Sequence, residues 1–470
     1  MTRAIVVGSG PNGLAAAARL ARAGLEVTVL EAADTIGGGT RSSEYLVPGL
    51  LHDHCSAAHP MAVASPLFNE LQLPGLTWRG ADVECAHPLD DGSAGALYRS
   101  FDLTERSLGT DGHRWRQVFE PIARRFDDLF ADISQPIVRV PRHPVTLARF
   151  GMRAMLPAVV LGRAFRTPQA RALWTGVAAH TFWRLDRPLT SAIGLALAAG
   201  AHAHGWVVAE GGSQAIADAL AADVVRHGGT IATGVHVRSF ADLAPHDVLM
   251  LDVSPSVALD IVGDRLPSRV AAAYRRFRHG PGAFKVDFAI EGGVPWTAEV
   301  AGLASTVHLG GTADEVAAGE RAVQRGEMPD RPFVLVGQQY LADPGRSVGN
   351  VHPLWTYAHV PQGYTGDATE AIIGQIERFA PGFRERVVGT AVRSATEMAV
   401  YNPNYVGGDI IGGAASFTQT VFRPRVALDP YATGIPGTYL CSASTPPGAG
   451  AHGMCGANAA ARALRELGIH

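Results

Sequence analysis

The chain has 470 residues, 47% of them apolar and 18% charged, which suits two or three domains with a substantial core and excludes extended disorder. Forty basic side chains against 43 acidic ones leave a net charge of −3, so no nucleic-acid partner is expected. Cys55, Cys85, Cys441 and Cys455 lack C-x-x-C spacing, which excludes a redox dithiol or zinc ribbon. No run of about 18 uncharged apolar residues is present. The N-terminus enters a strand pattern directly instead of a leader, and the expected compartment is the cytoplasm.

Ala4 to Val7 is a short apolar strand pattern. Gly8-Ser9-Gly10-Pro11-Asn12-Gly13 follows, then an alanine-rich helix from Leu14 to Ala23, closed by Gly24. Glu26 to Leu30 is a second strand with Glu31 at its end. A G-x-G-x-x-G turn between strand and helix, with an acid at the next strand end, is the fingerprint of a dinucleotide site. Gly8 permits the tight turn, Gly10 lets backbone approach a pyrophosphate, and Gly13 lets helix and strand pack closely. The helix N-terminus, which begins around Pro11 and Asn12, offers free N–H groups beyond the proline and a positive dipole end. Glu31 suits ribose hydroxyls and disfavours a 2′-phosphate.

Ala32 to Ser42, with Gly38-Gly39-Thr40-Arg41, resembles the continuation found in glutathione-reductase-like flavoproteins, especially the amine oxidase and phytoene desaturase families. The resemblance implies FAD, held additionally by Ala32, Gly38, Gly39, Thr40 and Arg41. Many amine oxidases carry arginine where this chain has Gly39. One charged phosphate contact is therefore absent here, or Arg41 supplies it.

Glu210-Gly211-Gly212-Ser213-Gln214, a helix from Ala215 to Arg226 and a strand-like stretch from Thr230 to Val237 resemble a second FAD block of the same families. It implies Val237 beside the adenine; an ordinary helix–strand unit is the other reading. Tyr439 to Gly456, followed by a helix from Ala457 to Leu467, resembles the closing FAD motif of phytoene desaturase-related proteins. It implies Ser444, Gly450, Gly453 and Met454 near the cofactor, where backbone N–H groups would stabilise negative charge on the flavin. Leu51 to Pro60, Trp355 to Tyr357, Phe379 to Phe383 and Asn402 to Asp409 resemble phytoene dehydrogenase-related oxidoreductases and the mammalian pyridine nucleotide-disulfide oxidoreductase domain protein 2 family.

The expected fold is therefore α/β. A discontinuous, glutathione-reductase-like Rossmann-type FAD-binding domain (1–75, 205–270 and 395–470) carries an inserted mixed β-sheet substrate domain (76–104 and 271–394) and a helical cap (105–204).

Three positions are candidates for the chemistry. Lys285 is the only lysine among the 40 basic side chains, and it lies in the alternating run Phe284 to Phe288 before Pro295-Trp296. That segment resembles the monoamine oxidase strand whose lysine reaches flavin N5 through water; a surface pairing with Asp287 is the rival. His54, in the run His52-Asp53-His54-Cys55 and near His59, is a candidate proton acceptor or a structural hydrogen-bonding group. The spacing does not make a metal site, and no metal is expected. His452 either donates to the flavin or substrate, or orders its own loop. Trp206, Tyr340, Trp355, Tyr357 and Tyr401 are candidates for a cavity lining or for plain core.

Ile133 to Leu185 carries Arg139, Arg142, Arg149, Arg153, Arg163, Arg166, Arg171 and Arg184 and no acid, interleaved with Met152, Met155, Leu156, Val159 and Val160. A solvated helical face and a peripheral contact with an anionic membrane are the two readings. Gly211 to Ala215 lacks the last glycine of a nucleophile elbow, so a hydrolase is excluded.

The expected activity is FAD-dependent dehydrogenation or isomerisation of a hydrophobic polyene, prenyl or lipid-like substrate by hydride transfer to flavin N5. Oxygen or a quinone is the expected electron acceptor. A flavin amine oxidase acting on a C–N bond and a non-catalytic FAD-binding scaffold are the alternatives.

Overall fold

Two sheets, built from interleaved stretches of chain, organise residues 2–469, which the computed structural model describes. The first is parallel, with five strands in the order Thr438–Leu440, Val248–Leu251, Arg3–Val7, Glu26–Leu30, Thr230–Ala232. Its central strands read as continuous apolar runs because both faces are covered. On one face lie helices Pro11–Arg22, Gln214–Arg226 and Met454–Glu466; on the other lie Pro255–Val262 and Ser268–Arg275.

The alanines of the first helix are what let it sink. Ala15 to Ala18 are fully buried between the sheet and the C-terminal helix. A Cβ on Gly456 would lie 1.8 Å from the Asn12 carbonyl oxygen, so only glycine permits that approach.

The second sheet is mixed and has seven strands: Val387–Arg393, Gly282–Glu291, Val351–Val360, Val334–Gly337, Ala304–Leu309, Val83–Pro88, Ala94–Leu97. Phe284, Val286 and Phe288 face one core with helix Thr369–Phe379, whereas Ala283, Trp355 and Tyr357 face the helical layer. That layer runs from Phe101 to His204. It begins a few residues before the expected 105, because Ser100 caps the first helix by accepting from the Leu103 N–H.

A second departure concerns Thr230 to Val237. Only Thr230–Ala232 is strand. Gly234 then turns with a left-handed φ of 70°, and the Val235 N–H donates to the Glu31 carbonyl instead of continuing a ladder. The turn brings Val235 to Arg238 over the carboxyl end of the parallel sheet.

Candidate functional site

At that carboxyl end the first strand stops at Gly8 (φ 99°), whose N–H donates to the Leu30 carbonyl at 2.8 Å. Gly10 is the N-cap of helix Pro11–Arg22 and supplies no side chain to cap it. The Asn12 amide and the positive dipole end thus face a cavity lined by Gly8 to Asn12. Asn12 Oδ1 lies in that wall, buried without a hydrogen-bond partner.

Glu31 organises the rim. Its Oε2 accepts from the Ser9 N–H (2.8 Å) and hydroxyl (2.6 Å). Its Oε1 accepts from the Ala33 N–H (2.9 Å) and from Arg41 Nη2 (3.3 Å). Arg41 also donates to the Thr35 carbonyl through Nη2 at 2.8 Å and Nε at 3.1 Å, and its guanidinium sits 5.4 Å from the Tyr401 ring.

Glycine at position 39 has a spatial reason. A Cβ there would lie 2.0 Å from the Tyr405 hydroxyl oxygen, so the tyrosine fills the space a side chain would need.

The expected cofactor residues divide into two groups. Gly8, Gly10, Pro11, Asn12, Glu31, Ala32, Gly38, Gly39, Thr40, Arg41, Val237, Ser444 and Gly450 all line one continuous cavity. Gly13, Gly453 and Met454 do not. Gly13 packs against strand ends, where a Cβ would meet the Gly8 carbonyl oxygen at 2.1 Å. Gly453 caps the C-terminal helix in a left-handed conformation, and Met454 opens that helix and is buried in the core.

The three candidate catalytic residues also separate. His452 lines the cavity, but its Nδ1 accepts from the Met454 N–H at 3.1 Å, which orders the loop. Burial pushes its pKa down to about 4. His54 does not line the cavity; it bonds the Ser43 hydroxyl at 2.6 Å. Burial, with Arg393 nearby, pushes it to about 3.

Lys285 does not line the cavity either. The pairing with Asp287 forms, but it is internal, not on the surface as the rival reading held: the two residues are 2% and 4% exposed. The Tyr45 hydroxyl donates to the same carboxylate at 2.6 Å, and the ammonium lies 5.8 Å from the Trp355 ring. Burial lowers the lysine pKa, and the Asp287 charge opposes that.

The His52 to His59 run is a joint. Asp53 accepts from the Ser42 hydroxyl (2.6 Å), the Ser213 N–H (2.8 Å) and Arg346 (2.5 Å). His59 Nε2 lies 2.9 Å from Ser213 Oγ. The Glu210-Gly-Gly-Ser segment is thereby locked to the strand Leu51–Asp53.

Residues that line the cavity without having been singled out from sequence include Asp252, His180 and Arg423, and Tyr405 was noted only as part of the Asn402 to Asp409 stretch. Asp252 ends the strand Val248–Leu251 and accepts from the Gly13 N–H at 2.8 Å. Burial first, then Glu31, raises its pKa to about 7. An acid ending an apolar run was its only sequence signal. Nothing local marks Arg423, whose position comes from distant packing.

The cavity measures about 1190 Å³ and runs from this cradle to a chamber between the mixed sheet and the helical layer. The chamber walls include Phe150, Met155, Phe182, Leu197, Trp206, Leu335, Trp355 and Tyr357. Tyr401 lies in the cavity wall too, whereas Tyr340 stacks on His352 at 4.4 Å, away from it. The depth, the helix N-terminus, the unpartnered Asn12 oxygen and the glycine-lined approach fit an extended dinucleotide such as FAD.

Residues 6–71 match the model of the NAD(P)-binding Rossmann-like domain family. The chain is similar to the rat pyridine nucleotide-disulfide oxidoreductase domain-containing protein 2, with 23% identity over 99% of this chain and 93% of the rat protein. It is similar to the hydroxyneurosporene desaturase of Cereibacter sphaeroides, with 28% identity over 55% of this chain and 57% of the desaturase. A solved putrescine oxidase variant superposes with a TM-score of 0.63 at 18% identity, covering 99% of this chain and 98% of that one. The homologues and structural neighbours are oxidoreductases, and the two-sheet fold is that of amine oxidase-type structures.

Proposed function

We propose that this chain is an FAD-dependent oxidoreductase that dehydrogenates or isomerises a hydrophobic, polyene, prenyl or lipid-like molecule. One observation carries the reading: a single cavity joins a dinucleotide cradle to a chamber whose walls are largely apolar and aromatic. The name of the desaturase relative supports it.

FAD, when bound, supplies a two-electron acceptor for a substrate hydride. The chain's own part is positioning. The amides of Gly10 and Asn12 would receive the pyrophosphate, Glu31 the ribose, and Val237 the adenine side. Gly38 to Arg41 and the loop Ser444 to His452 would flank the rest. The helical layer covers the chamber and would limit water and the side reactions it brings. Oxygen or a quinone would take the electrons onward.

The amine oxidase alternative has less support. Among the chamber residues from His180 to Trp206 and from Thr306 to Tyr357 that line the cavity, none is acidic, and Asp132 of the helical layer is already paired with Arg139, so an ammonium group would lack a free counter-charge there.

Peripheral contact with an anionic membrane belongs to the same reading. Val140, Val145, Met152 and Met155 are 90%, 62%, 69% and 47% exposed. They surround Pro141, Leu147 and Gly151, which line the cavity. Arg142, Arg149 and Arg163 are exposed beside them and form no ion pair among the described residues. Among the described residues, no single helix is long and apolar enough to cross a membrane.

The test is purification followed by identification of any released flavin and anaerobic reduction with candidate substrates. A yellow protein whose flavin bleaches with a lipid-like substrate and recovers with oxygen or a quinone is the expected outcome. A flavin that binds yet resists both reduction and reoxidation would establish the scaffold alternative, and a protein that takes up no FAD would overturn the reading.

A further inference from the structure

Beneath the chamber lies a set of buried histidines that the cofactor cradle does not use. His87 is on strand Val83–Pro88 and His308 on strand Ala304–Leu309, both fully buried. His180 follows helix Pro168–Ala179 and lines the cavity. His180 Nε2 and His308 Nε2 are 2.9 Å apart. His87 Nε2 lies 2.8 Å from the Gly311 carbonyl oxygen.

These contacts fix where the protons sit. A neutral imidazole has one N–H and one bare nitrogen, so a contact between two ring nitrogens needs a donor on one side and a lone pair on the other. A carbonyl only accepts, so His87 carries its proton on Nε2. Its Nδ1 is then a bare lone pair, sealed under Gly176, where a Cβ would lie 2.5 Å away.

For the His180–His308 pair two arrangements exist. His308 Nδ1 is buried with no partner. Were the His308 proton there, the N–H would be a buried donor without an acceptor, which folded proteins avoid more strictly than an unfilled lone pair. The proton therefore sits on His308 Nε2 and is donated to His180 Nε2. His180 must then hold its own proton on Nδ1. That nitrogen makes no hydrogen bond among the described residues and, unlike Nδ1 of His87 and His308, is not sealed.

Burial, with His359 nearby, pushes the His180 pKa down to about 3, so the ring stays neutral near pH 7. Trp206 packs edge-on at 5.3 Å and holds the ring's orientation.

We infer that His180, set by His308, presents an Nδ1–H donor to the chamber and selects an apolar ligand bearing one hydrogen-bond acceptor oxygen, a carbonyl or hydroxyl, over a pure hydrocarbon or an amine. The inference deepens the proposed function and rests on its reading of the chamber as the substrate's. His180 is a specificity residue and His308 a positioning residue.

Two measurements test it on the purified, flavin-loaded protein. The first is the nitrogen-15 spectrum of histidine-labelled protein, with the His180 signals identified by their loss in His180→Phe, or in His180→Asn should the first variant fail to fold. The expected result is a neutral ring protonated on Nδ1 throughout the neutral pH range. A ring protonated on Nε2, or an imidazolium, overturns the inference. This readout needs neither turnover nor bound flavin, so it stands if the FAD reading fails, and its own failure leaves that reading intact.

The second is binding of three probes of one shape, 4-phenylcyclohexanone, phenylcyclohexane and 4-phenylcyclohexylamine, followed by tryptophan fluorescence. The ketone is expected to bind roughly fivefold more tightly than the hydrocarbon, the worth of one neutral hydrogen bond. That preference should vanish in His180→Phe. A preference that survives the substitution, or an amine that binds best, overturns the inference.

Discussion

Gly39 and Tyr405 are a fitted pair, because the tyrosine hydroxyl oxygen stands 2.0 Å from where a Cβ on residue 39 would be. Gly39→Ala should therefore destabilise the protein by about 1–3 kcal/mol, the range for overpacking a filled site. With Tyr405→Phe as background the same change should cost clearly less, because the ring carbon that remains stands at 3.4 Å. A double-mutant cycle in chemical denaturation measures the coupling; additive costs would show that the two residues do not share the space.

Asp252 makes dinucleotide binding depend on pH. Its pKa is about 7 in the folded chain, raised from 3.8 by burial and by Glu31. The folded state thus binds more protons than the unfolded one between those values, and this group's contribution to stability falls as pH rises from about 4 to about 7. Above that window a carboxylate charge sits beside the expected pyrophosphate. Asp252→Asn should tighten FAD binding at pH 8 by about tenfold, equivalent to about 1.4 kcal/mol, and leave it nearly unchanged at pH 5.5. Fluorescence titration of the apoprotein at the two pH values is the check; equal effects at both would exclude a charge mechanism.

Lys285→Met leaves the Asp287 carboxylate buried with only Tyr45 as a donor. A loss of about 3–5 kcal/mol is expected, as for breaking one side of an internal ion pair. Lys285→Met combined with Asp287→Leu should recover most of it in thermal melts. The flavin spectrum and its reoxidation rate then report on catalysis alone: a rate that stays low in the restored double variant would assign the lysine to oxygen chemistry.

For the helical layer, flotation with anionic vesicles should carry the protein upward at low salt and release it at high salt. Arg142→Glu with Arg149→Glu should weaken the association, and Met152→Asp should weaken it without changing its salt dependence. Absence of flotation at any salt would retire the membrane contact.

Much of the fold could be read from residues because its signals are local. Gly8, Gly10 and Gly13 sit between two apolar strands and beside an alanine-rich helix, and each glycine meets the backbone or carboxylate it must clear. The alternation of Phe284, Val286 and Phe288 against Ala283, Lys285 and Asp287 likewise separates the two faces of the mixed sheet. What escaped notice depends on distance. Whether Lys285 points at a cavity or at Asp287 is settled by Tyr45, some 242 positions away in sequence. Asp252 reaches Gly13 across 239 positions, and His180 meets His308 across 128. No spacing rule relates such pairs. The strand expected through Val237 failed for a nearer reason: Gly234 allowed a turn that Glu31 and Ala33 then fixed by hydrogen bonds.

The contact between Gly456 and Asn12 has a bearing on how the molecule is made. The opening helix reaches its resting place only against a helix that begins at Met454, and the parallel sheet gains its edge at Thr438–Leu440. A ribosome must therefore deliver residues as far as Met454 and beyond before the turn at Gly8 to Gly13 is secured. Until then that turn stays in need of shelter, and loading of any prosthetic group follows synthesis of this stretch instead of accompanying it.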